Sequence, residues 1–254
     1  MPWTCIITSD ILCKYAILLK IRPMLSIVIT TSPIRSHPST QMIDKVLASL
    51  HIKDAWQVII VCDGYRVSEK HELKRGVITP IQVLNYLQYI DNLKTNSPKN
   101  YTVLVRERRY GFAKNVRYGL EQCVSDYVLV VQHDFMFVEP IDFEQLVAQH
   151  FVAGEINYLT FKSNGKDNRT NYIAQDTDIL PLLFLYDRNH LVRKSFYLDY
   201  IFKQYKVKNF IEDSFGHTMK DMLKEDMTYF SLFKTYILNS PDLIVRHVDG
   251  RGRN

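Results

Sequence analysis

Asp134 stands directly after the apolar run 126–132 (DYVLVVQ) and before Phe135-Met136-Phe137-Val138. A carboxylate in that place lies at the lip of a core. It serves either as a turn or cap residue or as a ligand for a hard divalent cation. Mg²⁺ and Mn²⁺ are held by one or two carboxylates plus substrate phosphates, not by a full protein cage. His247 is a candidate second ligand, and imidazole suits Mn²⁺ better than Mg²⁺. Three earlier apolar runs also end in polar groups. Run 25–31 (LSIVITT) closes with Thr30, Thr31 and Ser32; run 57–62 (QVIIVC) with Asp63-Gly64; run 101–106 (YTVLVR) with Arg106, Arg108, Arg109 and Gly111. Gln132, His133 and Asp134 close the fourth. Any one of these is ordinary as a strand-end turn. Hydroxyls, carboxylates and arginines at four successive ends point to a polar ligand.

The elements that must position these residues alternate. Each apolar run is short and rich in β-branched residues, as buried parallel strands are. Between them lie helical patterns. Thr40 reads as the N-cap of a helix through Leu50, with Ile43, Val46, Leu47 and Leu50 on one face. Residues 80–93 carry Ile81, Leu84, Leu87 and Ile90 at helical spacing, and 112–123 align Phe112, Val116 and Leu120. Strand–helix alternation predicts an α/β, Rossmann-like domain: a mostly parallel central sheet with helices on both faces. Ligands of such sheets bind beyond the carboxyl ends of the strands, where the polar groups gather.

The second half is less regular. Residues 157–161, 182–186 and 243–248 read as strands, 194–205 as a helix, and a further helix runs from Asp213 or Ser214 to Leu223. Residues 162–177 read as a polar loop. No Gly/Ser- or Pro-rich linker divides the halves, so 24–254 is expected to be one domain, with 24–138 the ligand-binding half and 139–254 the variable half. Residues 1–23 read as a peripheral extension. Their apolar stretch is interrupted by Asp10, Lys14 and Lys20, which makes it too short and too charged for a membrane span, and it lacks a clean signal-peptide pattern.

The net charge is +5, from 32 basic and 27 acidic residues. This mild excess suits phosphate-bearing ligands and does not call for nucleic acid. Cys5, Cys13, Cys62 and Cys123 form no CxxC pair. Buried free thiols and a cytoplasmic, reducing compartment are expected. Peripheral membrane association is compatible with the extension, but nothing in the sequence indicates it. There is no phosphate-loop string and no zinc-ligand spacing.

LSIVITTSP, VIIVCDGYR and RRYGFAKNVRYGLEQCVSDYVLVVQHD together resemble the nucleotide-sugar-binding half of a GT-A fold glycosyltransferase of the large family 2 type. In that family the second strand ends in Asp-Asp-Gly-Ser, a Gly-X-X-X-X-Asn segment opens a helix, and the next strand ends in Asp-X-Asp. Asp63-Gly64, Gly111, Asn115 and Asp134 match. Cys62 replaces the first Asp of the first motif, and Gln132 replaces the first Asp of the last. Gln132 can still hydrogen-bond a ribose, but the lost charge should weaken metal affinity.

The resemblance extends to two later elements. FIEDSF (210–215) is similar to the Glu-Asp element that supplies the catalytic base of inverting members, with Asp213 as the base beside Glu212. The same pair also suits the positive end of a following helix, and the two roles are compatible. His247 resembles the late His that reaches the metal, and Arg251 and Arg253 either face phosphate or form a solvated tail. The implied reaction moves a sugar from a nucleotide-diphosphate sugar, with UDP favoured, to a glycan, lipid or protein hydroxyl. Thr30, Thr31, Ser32, Asp63, Gln132 and His133 would hold the nucleoside. Arg109 or Lys114, with Mn²⁺ or Mg²⁺ on Asp134 and His247, would offset diphosphate charge. Tyr172, Phe196 and Tyr197 are candidates to stack on sugars. Two rivals are a non-catalytic nucleotide-sugar-binding protein of the same fold, which Gln132 keeps open, and a sugar nucleotidyltransferase. The absence of glycine in Thr31-Ser32-Pro33-Ile34-Arg35 counts against the latter.

Overall fold

The computed structural model describes residues 25–69, 76–163 and 171–248. The N-terminal extension, Arg251, Arg253, Cys5 and Cys13 lie outside them. Strands β1 (Ser26–Thr31), β2 (Gln57–Cys62), β5 (Tyr101–Val105) and β6 (Tyr127–Gln132) are parallel, in the order β5-β2-β1-β6. β1 is buried along its whole length, as its unbroken β-branched and apolar side chains require. Two short strands, β3 (Arg66–Val67) and β4 (Val77–Ile78), pair with each other between β2 and the next helix.

Helices α1 (Gln41–Ser49) and α2 (Pro80–Asn96) cover one face of the sheet, and α3 (Phe112–Gln122) covers the other. α2 starts at a capping box made by Thr79 and Gln82, with Pro80 in the first turn. Its buried face is not the one the aliphatic spacing predicts. Tyr86, Tyr89, Ile90 and Leu93 face the core, while Ile81, Leu84 and Leu87 are exposed. The tyrosines take the interior because their hydroxyls find partners there: Tyr86 donates to the Asp63 carbonyl at 2.8 Å, and Tyr89 meets Thr31 Oγ1 at 3.0 Å. α3 lies close on the sheet because Gly119 has no side chain; a Cβ there would stand 2.6 Å from Val28 Cγ1.

Beyond β6 the sheet continues through β10 (His190–Arg193), β8 (Tyr158–Thr160), β11 (Thr235–Leu238) and β9 (Ile179–Pro181), giving eight strands. β10 runs antiparallel to both β6 and β8. The strand expected at 182–186 is absent. Strands flank it at 179–181 and 190–193. Leu182 makes an isolated bridge to Tyr172, Leu182 N–H donates to the Thr235 carbonyl and Leu183 N–H to the Asn171 carbonyl, and side-chain bonds of Asp187, Arg188 and Asn189 hold the residues that follow. The helix predicted at 194–205 is a π-helical segment, Phe196–Ile201, followed by α5 (Phe202–Gln204). α4 (Phe143–Leu146) likewise runs into a π-helical stretch, Val147–Val152. α6 (His217–Glu225) follows a third, Glu212–Gly216, and α7 (Phe230–Phe233) leads into β11.

A separate two-stranded sheet pairs β7 (Phe135–Phe137) with β12 (Val245–His247), placing His247 opposite Phe135. Cys62 and Cys123 are free and buried, and burial pushes both thiols up to about 12. Among the described residues, no helix is long and apolar enough to cross a membrane.

Candidate functional site

Parallel register places the ends of three strands side by side. Thr30 is level with Val61 on one side and Gln132 on the other. The chain beyond each strand then stays paired: Asp63 N–H donates to the Thr31 carbonyl at 2.8 Å, and His133 N–H to the Thr30 carbonyl at 3.1 Å. Above them opens a cleft of roughly 1190 Å³. Thr30, Thr31, Ser32, Asp63, Arg109, Gly111, Asn115, Gln132, His133 and Asp134 all line it. The loop after β1 and the first turns of α1 add Arg35, Ser36, Ser39 and Lys45; Phe112, Phe210 and Val248 complete the far wall.

Asp63 is buried, and its carboxylate accepts from Tyr110 N–H at 2.8 Å and Gly111 N–H at 3.0 Å. It thereby fixes the turn that opens α3. Gly111 sits there at φ +84°, a conformation L side chains rarely adopt. The arginines divide around that turn. Arg106 packs between the rings of Tyr110 and Tyr118, at 3.9 and 4.0 Å, and Arg108 donates to the Tyr110 hydroxyl at 3.1 Å. Arg109 is the one that lines the cleft.

Three buried acceptor atoms around the cleft have no partner among the described residues: Asn115 Oδ1, Asp134 Oδ1 and His133 Nε2. His133 Nδ1 lies 3.3 Å from the Thr30 carbonyl, which can only accept, so Nδ1 carries the proton and Nε2 is left as an acceptor. Buried acceptors without donors are costly, and several around one cleft mark a place for donors or a cation. Asp134 Oδ2 lies 2.9 Å from His247 Nε2. Burial alone would push the Asp134 carboxyl up. The hydrogen bond and charge of His247 outweigh it and hold the group below its ordinary value.

The Asp134–His247 pair fits a divalent ion. Adjacent ligands ~2.1 Å from an octahedral ion stand roughly 3 Å apart. Among the described residues, no third His, Cys, Asp or Glu joins them. Two protein ligands would leave the remaining positions to water and phosphate oxygens.

No protein-family model matches the sequence, and no curated protein matches it. Solved structures do. The Staphylococcus aureus protein TarS, in a 1–349 form with UDP-GlcNAc, superposes with a TM-score of 0.52 at 14% identity over 90% of this chain and 59% of its own. A longer TarS structure gives 0.51 at 15% identity, over 89% and 36%. The mannosyltransferase PcManGT from Pyrobaculum calidifontis, with GDP-Man and Mn²⁺, gives 0.51 at 12% identity, over 95% and 65%. The chain has the GT-A fold. It spans between about a third and two thirds of the length of these relatives.

Within the GT-A frame, the second half contributes through a polar run not singled out from the sequence, Asp187-Arg188-Asn189. Gln132 Nε2 donates to the Asp187 carbonyl at 2.9 Å, and Gln132 N–H to Asn189 Oδ1 at 3.2 Å. Asn189 Nδ2 donates in turn to the Phe135 carbonyl at 2.9 Å. The Asp187 carboxylate accepts from Ile211 N–H at 3.2 Å and Glu212 N–H at 3.1 Å, and Asp187 N–H donates to Glu212 Oε2 at 3.2 Å. Burial, reinforced by the charges of Glu212 and Asp213, pushes the Asp187 carboxyl well above the usual range despite those donors. The signal was present in the sequence: four polar residues, Asp187 to His190, interrupt the apolar stretch LPLLFLYDRNHLV.

Glu212 and Asp213 open the π-helical segment without capping it by a side chain. Glu212 is half-buried and Asp213 exposed, and neither is among the lining residues. Lys114 is exposed and also off the lining. Phe196 and Tyr197 cannot stack on a sugar, because both are buried in the core. The aromatic residues that do face the cleft are Phe112 and Phe210.

Proposed function

We propose that the chain is a glycosyltransferase that moves a sugar from a nucleotide-diphosphate sugar to a hydroxyl acceptor with inversion. The observation that carries this reading is the Asp134–His247 pair at a GT-A strand end, beside further buried acceptors and Arg109. UDP is the favoured nucleotide, and the relatives solved with UDP-GlcNAc or with GDP-Man and Mn²⁺ support a nucleotide-sugar donor in general. The acceptor hydroxyl belongs to a glycan, a lipid or a protein.

Thr30, Ser32, Gln132 and His133 bind the nucleoside, with His133 Nε2 accepting from a ribose hydroxyl or a base N–H. Arg109 offsets diphosphate charge as the leaving group departs. Asp134 and His247 are the residues that would hold Mn²⁺ or Mg²⁺, which supplies Lewis-acid stabilisation of the diphosphate when bound. Asp213 takes the acceptor proton as the hydroxyl oxygen bonds to the anomeric carbon and the bond to the diphosphate breaks. Glu212, tied to Asp187, holds that segment in place.

Calorimetry with UDP and GDP, with and without Mn²⁺, tests the donor side. Asp134→Ala should lose the Mn²⁺-dependent part of the affinity, and equal affinities in wild type and variant would remove its metal role. Asp213→Ala should keep nucleotide binding and lose turnover in a screen of UDP-, GDP- and dTDP-sugars. Unchanged turnover would remove the base assignment. Gln132 supports one rival, a non-catalytic nucleotide-sugar-binding protein, because its side-chain amide ties to Asp187 where the resembled family has a carboxylate. Nucleotide binding without turnover on any donor would favour that rival.

A further inference from the structure

We propose that Phe112 and Phe210 form a platform on which the acceptor's sugar ring lies, so that the acceptor is a carbohydrate. The proposal rests on the glycosyltransferase reading above. The two rings stack with centroids 5.9 Å apart and planes inclined by 26°, and both line the cleft. Phe210 is 42% exposed. Other aromatic residues of the second half, Phe196, Tyr197, Phe215 and Phe233, are buried.

Leaving a phenyl ring in water forfeits hydrophobic free energy, and a free loop would fold it inward. This loop is pinned on both sides of the ring. The Asn209 carbonyl accepts from Ala113 N–H at 3.0 Å, and the Ile211 and Glu212 N–H groups are held by the Asp187 carboxylate. Ile211 is itself fully buried. The exposure of Phe210 is therefore built into the backbone. Its ring is fixed at the cleft two residues before Glu212 and three before Asp213.

The open face of such a stacked pair matches the C–H face of a pyranose, leaving the hydroxyls at the ring edge free to reach polar groups. Arg109 lines the same cleft and supplies such a group, and the buried Asn115 Oδ1 is a further acceptor within it. An alkyl chain would be better served by a continuous apolar groove, and Arg35, Lys45, Arg109 and Asn115 interrupt the apolar lining of this cleft.

Saturation-transfer NMR with UDP present tests the platform, using methyl β-D-glucopyranoside, its N-acetylglucosamine counterpart and 1-octanol as probes. The ring C–H protons of a glycoside should receive saturation from the wild-type protein. Phe210→Ala should raise the glycoside Kd about tenfold, the loss of one ring face, and Phe210→Tyr should restore it. Calorimetry with UDP should give the same nucleotide affinity in all three proteins, which also verifies that the variants fold. The platform is overturned if neither glycoside binds the wild type, if binding survives both Phe210→Ala and Phe112→Ala, or if octanol receives the saturation instead. Failure of UDP to bind the wild type would overturn the donor reading, and the glycoside result would then decide the platform by itself.

Discussion

Asp63 and Gln132 show how a residue can keep its place in a pattern while taking on a structural duty. Asp63 directs its carboxylate oxygens to Tyr110 and Gly111 N–H groups, and Gln132 directs its amide to Asp187. The chemistry proposed for a donor then rests more on His133 and Asp134, whose unpartnered atoms are buried beside them. Buried histidines also set an acid limit on stability. Burial lowers His37 to about 3 and His190 to about 4, with the charge of Arg188 adding to the effect at His190. The unfolded chain binds these protons near pH 6.5, so it holds more protons than the native state below that pH. The contribution is complete above about pH 6.5 and is lost as pH falls toward 4, by about 3 kcal/mol for His190. Asp187 acts in the opposite sense, because its raised carboxyl keeps a proton that the unfolded chain releases above ~4. Two histidines outweigh one carboxyl, so the urea midpoint should fall between pH 7 and pH 5. A flat or rising midpoint would contradict the buried neutral state.

At the scale of elements, the informative pieces are those that tie one half to the other. The segment 187–189 touches the end of β6 and the start of β7 through Gln132 and Phe135, and the segment before α6 through Ile211 and Glu212. Asp187→Asn would present an amide donor toward one of two backbone N–H groups. We expect faster amide hydrogen exchange at 209–213, with β1 and β2 unchanged, and a stability loss of about 1–3 kcal/mol. Unchanged exchange at those amides would show that another contact holds the segment. This is also where sequence reading stopped short. The parallel strands and their polar ends were legible because buried strands and the residues that close them carry a strong local pattern. The faces of α2 were not, because two apolar stripes share that helix and distant partners for tyrosine hydroxyls decide between them. The absence of a strand at 182–186 was not legible either. Local β-propensity there is divided between separate partners, Leu182 bonding to Thr235 and Leu183 to Asn171.

The whole molecule joins a regular parallel half, readable from its alternation, to a mixed half whose order β10-β8-β11-β9 follows no local period. The halves meet again at the β7–β12 pair, which brings His247 to Asp134 across 113 positions of sequence. A chain ending at Asn239 would retain every strand of the eight-stranded sheet. It should keep near-native circular dichroism and measurable UDP binding, yet lose the enhancement by Mn²⁺. If Mn²⁺ still raised UDP affinity in that chain, His247 would not be a ligand.

The β7–β12 pairing also has a bearing on the order of synthesis. A nascent chain that has emerged as far as Leu238 already carries all eight strands of the main sheet, but not the histidine opposite Asp134. On the reading proposed above, cation-dependent capture of a donor would be acquired only once β12 has emerged. A polypeptide stalled or clipped after β11 would then carry the main sheet yet hold a nucleotide sugar less tightly than a chain that includes β12.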